Sequence, residues 1–585
     1  MSFPRRLFRE VILFSGFFCV SIFFTACQQA SGLDSAFRTP SGLQAESFLP
    51  ERLLMLATLG SGDVQQNEQF MKLLDHFPLK DREEFGKNVL DGLNNDLHAV
   101  DLDYQRDLEP VLGQNFQGMM AFARLESSEK PDVYAFVTLK DPEGLDRIFQ
   151  SLETAKKLQK LMHGEYAVYS TENQAQYMVR VQDLLVVANR QDLLESALDR
   201  WRLHQPSLLN YQPYRRALAQ LKPAVAFGYI DFQGLFTTLR QSPDSKERFE
   251  KLLGFSGSQM LDIIEGEMFY LRAEEKGLRF YGSVYGQEEK MKALEQNFLT
   301  YQTREPYLVK KIPGSRVFMY FEGYNLASVL SYDFEIWSQI EGFSAGLEKM
   351  RQTFSSVGLD FDRDFLPLFE KGVAFKINNE STILPTTGIF VDVSGHEESA
   401  GKVMRVLKNM GDALLKNAPV LQDSPGFITN EEVQVGGGQA YVARIHMNKL
   451  GPSQKNLAAA ALLLTKPVEL WYGVTGDNIA FLAFEPDFDK NYAEGPKVAQ
   501  DEQYRAVVSN LSGLKGGINY VSPAVFTQFL DKIFDLGKLG GRPDERVLAD
   551  YESIKSYLKP LKGFAFTTLP VSAGETHFEG FGLIE

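Results

Sequence analysis

Asp101-Leu-Asp-Tyr-Gln-Arg-Asp-Leu-Glu-Pro-Val-Leu112 and Gly358-Leu-Asp-Phe-Asp-Arg-Asp-Phe-Leu-Pro-Leu-Phe369 carry a leucine, two aspartates, an aromatic residue, an arginine and a proline at the same places. Self-similarity at a long period changes the fold reading of a whole chain. Working outward, Gln212–Leu221 aligns with Glu502–Leu511, and each is followed by an apolar strand, Val225 to Ile230 or Gly517 to Val521. Gly266-Glu-Met-Phe with Gly277 and Gly282 answers Gly563-Phe-Ala-Phe with Gly574 and Gly580. The starts agree too, Pro50-Glu-Arg-Leu-Leu-Met-Leu with Pro313-Gly-Ser-Arg-Val-Phe-Met. Coincidence explains one such match, but hardly four in the same order. The expectation is two tandem copies, residues 48–300 and 308–585.

One copy reads as an α+β unit. Leu53 to Thr58 is strand-like, and Leu90, Leu93 and Leu97 fall at helical spacing, mirrored by Leu347, Met350 and Phe354. A short helix (Leu108 to Leu112) follows the Arg-Asp turn, then strands at Met119 to Leu125 and Val133 to Leu139. Pro142 opens a helix that carries Leu145, Ile148 and Leu152. A meander comes next, Tyr166 to Thr171, Tyr177 to Val181 and Leu184 to Ala188, turning at Glu172-Asn173 and Gln182-Asp183. In the second copy Gly436-Gly437-Gly438 and Gly476-Asp477-Asn478 are hairpin signals. Strands joined so tightly must be antiparallel. Each copy is therefore expected to be an antiparallel sheet with helices gathered largely on one face.

The N-terminus carries a different message. Arg5, Arg6 and Arg9 precede an uncharged run, Val11 to Phe24, that Phe24-Thr25-Ala26-Cys27 closes. Fourteen residues fall short of the roughly 20 needed to span a bilayer as a helix, yet suit a signal-peptide core. The segment resembles the lipobox of bacterial lipoproteins, with Phe24 where leucine is usual. The resemblance implies removal of residues 1–26 and lipidation of Cys27. Residues 27–47, rich in Gln, Ser and Gly, then read as a flexible tether. Cys19 leaves with the signal, so the body holds no thiol for a disulfide, zinc site or nucleophile. The 559 residues that remain are ample for a core of their own. Exported location, with the body outside the cytoplasm and anchored to the cell membrane or outer membrane, follows as an expectation. Gln28 after the lipidated residue favours the outer membrane where one exists, by resemblance to known lipoprotein sorting.

Charge argues against nucleic acid. The net charge of −15 becomes −17 once the three arginines and one glutamate of residues 1–26 are removed. No Lys/Arg cluster longer than Lys310-Lys311 remains to track a phosphate backbone. An acidic body is also repelled by anionic head groups, which leaves the acyl chains to hold it at a membrane.

Taken together, the Asp103 to Gly113 turn, the Val-Tyr-Ala-Phe-Val strand at 133–137 with Asp141-Pro142, and Leu-Leu-Val-Val-Ala-Asn at 184–189 resemble the bacterial domain-of-unknown-function 3352 family. The resemblance implies envelope association. It brings no established activity and no functional residue.

Candidate chemistry is thin. Gly342-Phe-Ser-Ala-Gly346 fits Gly-x-Ser-x-Gly, but a nucleophile elbow needs a strand before Ser344, and Ile336 to Met350 reads as continuous helix. Asp360, Asp362 and Asp364 alternate as in a calcium loop, without the glycine at the sixth position or the distant glutamate. Asp107 and Asp364 read instead as helix caps, with Arg106 and Arg363 paired to nearby carboxylates. The seven histidines lack His or Cys neighbours at ligand spacing. Gly436 to Gly438 lacks the Lys-Ser/Thr of a phosphate-binding loop and reads as a turn. No catalytic residue, metal or cofactor is assigned. Leu450 to Lys466 interrupts the second copy with the apolar run Leu457 to Leu464, read as a buried helix or as an exposed element that touches lipid or a partner. Two functions survive: a non-enzymatic envelope scaffold binding a protein, glycan or apolar ligand between the copies, and an envelope hydrolase acting on lipid or polymer.

Overall fold

The strands of this chain alternate outward and inward side chains along ten-stranded antiparallel arrays, one in each of two compact units, residues 1–291 and 292–585. The computed structural model describes residues 36–60, 63–78, 102–113, 117–124, 132–171, 176–241, 263–290, 305–337, 342–379, 385–417, 426–449, 467–514, 516–540, 545–572 and 574–585. Cys27, the signal segment, the Leu90 to Leu97 helix and the Leu457 to Leu464 run lie outside these residues.

Unit 1 contains β1 (Met55–Leu59), β2 (Gly118–Arg124), β3 (Asp132–Thr138), β4 (Leu158–His163), β5 (Tyr166–Thr171), β6 (Tyr177–Val181), β7 (Leu184–Ala188), β8 (Ala226–Asp231), β9 (Ile264–Glu274) and β10 (Gly277–Gly286). They pair in the order β10-β9-β8-β1-β2-β3-β7-β6-β5-β4. Unit 2 contains β11 (Val317–Gly323), β12 (Gly372–Asn378), β13 (Thr386–Asp392), β14 (Ile428–Val435), β15 (Gly438–Ile445), β16 (Val468–Val474), β17 (Ile479–Phe484), β18 (Ile518–Val521), β19 (Leu561–Ser572) and β20 (Glu575–Ile584). Their order is β20-β19-β18-β11-β12-β13-β17-β16-β15-β14.

Helices cover both faces of each sheet, contrary to the one-sided packing expected. In unit 1, Gln191–Arg202 and Gln212–Gln220 bury Leu194, Leu198, Tyr214 and Leu218 in the main core beside Phe136, Val186 and Tyr229. Pro142–Thr154 buries Leu145, Phe149 and Leu152 in a second cluster with Leu158 and Tyr169. The cause lies in the strands: Val168 enters one cluster and its neighbour Tyr169 the other, so β5 is apolar on both faces. Unit 2 likewise has a main core around Tyr320, Phe390, Trp471, Phe481 and Phe488 and a smaller one around Val373, Val391, Ala400 and Val403.

The glycine turn forms as read. Val435 pairs with Gly438, and Gly436 and Gly437 take φ of 54° and 79°, the left-handed pair that a two-residue hairpin requires. Three expectations need correction. From Ala36 onward the tether belongs to the body. Phe37, Ala45 and Phe48 are buried, and the buried Glu46 carboxylate accepts N–H bonds from Ala36 and Phe37 and the Tyr214 hydroxyl at 3.0 Å. The Asp-x-x-Arg-Asp stretch is one π-helical turn in each unit, Tyr104–Leu108 and Phe361–Phe365, and its caps are Asp103 and Asp360, four residues before those expected. Asp107 and Asp364 instead reach back to accept the Asp103 and Asp360 N–H at 2.8 and 3.0 Å, closing a reciprocal box. Finally β4 was not anticipated, because its single fully buried residue, Leu158, leaves no alternation to read.

Candidate functional site

Two features of unit 2 stand out from its packing. The first grows from β12, Gly-Val-Ala-Phe-Lys-Ile-Asn, where Ala374, Lys376 and Asn378 point to the main core. Lys376 is fully buried, opposite Tyr320 on β11 and Gly388 on β13, and the Phe390 ring lies over Gly388, where a side chain would collide with it. Its ammonium donates to Glu485 Oε2 at 2.7 Å and to the Pro313 carbonyl, and lies 5.6 Å from the centroid of the Phe390 ring. Glu485, which follows β17, is also buried, and its Oε1 accepts from Asn491 Nδ2 at 3.0 Å. Every charge in this pair is met, as burial of ions requires. Beside it lies a half-open cavity of about 300 Å³ lined by Pro313, Gly314, Ser315, Arg316, Glu485 and Asn491, with Gly495 and Pro496. Lys497 lies next to this wall. Burial, and then the positive charge of Lys376, holds its pKa below the ordinary lysine range, and its ammonium donates to the Tyr492 carbonyl at 2.5 Å.

The second feature is the opposite face of the same strands. Phe321, Phe375, Ile389 and Leu482 lie side by side across β11, β12, β13 and β17. Two residues along each strand, Met319, Ile377, Thr387 and Phe484 form the next row. Phe321, Ile389, Leu482 and Phe484 are 38 to 45% exposed. In the other direction the face runs into Val373, Val391 and Ala480, which the helix Glu397–Asn417 covers through Ala400 and Val403. A contiguous apolar patch of this kind is uncommon on a soluble surface and marks contact with something apolar.

The residues singled out from the sequence are scattered. Ser344 is exposed on the helix Phe343–Ser356; Gly342 at φ 86° breaks the expected continuous helix, and among the described residues the element before it is the helix Leu326–Trp337, not a strand. Asp360 caps its turn, Asp362 pairs with Arg351 at 2.7 Å, and Asp364 faces Lys402 at 3.5 Å, so the three carboxylates do not converge. Arg106 pairs with Asp107 at 2.7 Å and Arg363 with Asp364 at 3.7 Å. His163, His396 and His577 each sit 3.0 to 3.2 Å from a carboxylate, Asp199, Glu370 and Glu575. Among the described residues no group of three or more His, Cys, Asp or Glu is placed to hold a metal, and no helix is long and apolar enough to cross a membrane. Lys376 and Glu485 were missed, because 109 positions separate them and each reads as an ordinary strand or strand-end charge.

A family model described as Protein of unknown function (DUF3352) matches residues 12–540. No curated protein matches the chain. Among solved structures, crystal form III of TP0453 is 12% identical, covering 46% of this chain and 90% of that chain with a TM-score of 0.24. Crystal form I of TP0453 is 11% identical, covering 44% and 86% with a TM-score of 0.22. A likeness at this level carries nothing over to this chain.

Proposed function

We propose, starting from the fact that this chain belongs to the family described as Protein of unknown function (DUF3352), that it is a non-enzymatic, lipid-anchored protein of the cell envelope that holds an apolar ligand against the open sheet face of unit 2. The observation that carries this reading is the exposed block of Phe321, Ile389, Leu482 and Phe484. Four large apolar side chains left in water forgo about 25 cal/mol for each Å² that a ligand would cover. With a body tethered through acylated Cys27, the apolar groups at hand are lipid acyl chains, and those are the ligand we assign.

The architecture is read as a duplication. Its support is that the strand orders of the two units correspond one for one, β1 to β11, β2 to β12 and so on to β10 and β20, and that both units carry the π-helical Asp-x-x-Arg-Asp turn.

Titration with a fluorescent fatty acid tests the ligand. The full chain is expected to bind it saturably, and the pair Leu482→Gln with Phe484→Lys to bind at least tenfold more weakly at unchanged thermal stability. Binding that is absent, or indifferent to those two substitutions, refutes the acyl-chain reading. Mass spectrometry of the mature N-terminal peptide tests the anchor separately: an unmodified Cys27 would remove it.

A further inference from the structure

β4 and β14 end the strand orders of units 1 and 2 at corresponding places, and each is held by a single neighbour: among the described residues β4 pairs with β5 and β14 with β15. An outermost strand leaves alternate N–H and C=O groups along its free edge to water, and proteins blunt such edges with proline, a bulge or charge. Neither strand contains proline, and both registers run without a shift, over six residues in β4 and eight in β14. Charge is the device that remains.

That charge has opposite sign on the two edges. In a chain of net charge −15, Lys156, Lys157 and Lys160 place three lysines within five positions at the start of β4. Lys156 and Lys160 are exposed, and among the described residues neither has a carboxylate partner; the Lys160 ammonium lies 6.0 Å from the centroid of the Tyr169 ring. β14 carries Glu431 and Glu432, both exposed, and no basic residue. Arg444 binds Glu431 at 2.5 Å and Glu469 at 2.7 Å, so these three side chains keep one negative charge in excess. Glu432 has no cation beside it among the described residues and accepts from the Gln439 amide at 2.9 Å. Like edges of two molecules therefore repel, β4 against β4 or β14 against β14, while β4 against β14 attracts.

We propose that β4 of one copy of this chain pairs with β14 of a second copy, so that the sheet continues from molecule to molecule. Main-chain hydrogen bonds along the two edges supply the adhesion, and the lysines of β4 facing Glu431 and Glu432 select the partner edge. The contact joins two different surfaces, so each added copy offers a new free edge, and assembly proceeds to a ring or a filament. The apolar face of unit 2 takes no part in it, and the success or failure of this contact does not bear on the acyl-chain reading.

Sedimentation velocity of the full chain in a non-ionic detergent, which suppresses apolar association, tests the proposal. The wild type is expected to grow in size with concentration at low salt and to shrink in about 1 M NaCl, where charges are screened within about 3 Å. Lys160→Glu sets a carboxylate against Glu432, and Glu432→Lys sets an ammonium against Lys160, so each variant alone should associate about tenfold more weakly. Mixed in equal amounts the two variants should regain the association, because every altered edge then meets its complement; a variant that had merely lost its fold would not be rescued in this way. Amide exchange in residues 158–163 and 428–435 should slow as the wild type associates. A chain that stays monomeric at every concentration, association that neither substitution weakens, or a mixture that fails to recover overturns the proposal.

Discussion

Tyr320 donates its hydroxyl to Glu322 Oε2 at 2.6 Å, and neither side chain meets solvent. Being two residues apart on β11, they share a face, and Glu322 there gathers four further donors: the backbone N–H groups of Tyr307, Leu308 and Val309 at 2.8 to 3.0 Å, and the Tyr324 hydroxyl at 2.8 Å. Three successive N–H groups at the start of the short Leu308–Lys310 helix are thus satisfied by one carboxylate. Burial, reinforced by the Glu322 charge, drives the Tyr320 hydroxyl well above the usual phenol range and keeps it a donor. Glu322→Gln turns an NH₂ group toward donors that need an acceptor, and is expected to cost about 3 kcal/mol in urea unfolding of the full chain. Tyr324→Phe, which removes one donor, should cost about 1 kcal/mol. Equal effects of the two would show that Glu322 is no hub.

Asp364 gives a pH signature. The Asp360 N–H, then Lys402 and Arg363, hold its carboxyl below the ordinary aspartate value of 3.8. A carboxylate with a depressed folded pKa contributes stability that is complete above the unfolded value and is lost as pH falls through the folded one. The wild type should therefore exceed Asp364→Asn in stability by about 1 kcal/mol near neutrality, and this gap should close as the pH is lowered below 3.8. Denaturant midpoints measured at several pH values would reveal it. A gap that persists unchanged in acid would mean that the turn is held by packing of Phe361 and Phe365 alone.

How much of this was legible follows the range of the interactions. The Asp-x-x-Arg-Asp turn was found because its chemistry is local: Asp103 with Arg106 N–H, and Asp107 with Asp103 N–H, span three and four residues. Even so, the pattern points to Asp107 and Asp364 as caps because it starts the helix at Leu108, whereas the helical turn already begins at Tyr104 and at Phe361, four residues earlier. Hairpins at Gln182-Asp183 and Gly436-Gly437 were readable for the same reason. The candidate sites were not. Alternation along Gly372–Asn378 assigns Val373, Phe375 and Ile377 to the interior and Lys376 to water, whereas Lys376 is buried and Phe375 is half-buried on the open face. The decisive partner, Glu485, arrives from another strand, which no local pattern encodes.

Ser344 separates a binding protein from a hydrolase. A serine is nucleophilic only beside a base and on a turn that presents its oxygen, and here it lies exposed in the first turn of a helix, and the described element before that helix is helical too. Treatment of the full chain with a fluorophosphonate should leave the peptide containing Ser344 unmodified, as judged by mass spectrometry. Stoichiometric labelling there would restore the enzyme reading at once.

Lys376 and Glu485 offer a test of whether the buried pair serves stability. Lys376→Met keeps the length of the side chain but leaves the buried Glu485 carboxylate without its cation, and breaking such a pair typically costs about 3–5 kcal/mol. Glu485→Leu strands the ammonium of Lys376 and should cost a similar amount. The double variant removes both charges and fills their space with apolar atoms, so it should recover to within about 2 kcal/mol of the wild type, and replacements of this kind are at times stabilising. A double-mutant cycle in urea, read at neutral pH, yields the coupling directly. Strong coupling with recovery in the double variant means the fold tolerates an apolar filling, and the charges are retained for something other than stability. Additive losses would mean that Pro313 and Asn491, the other partners of the two side chains, need the charges in place for the loop around Gly314 to form.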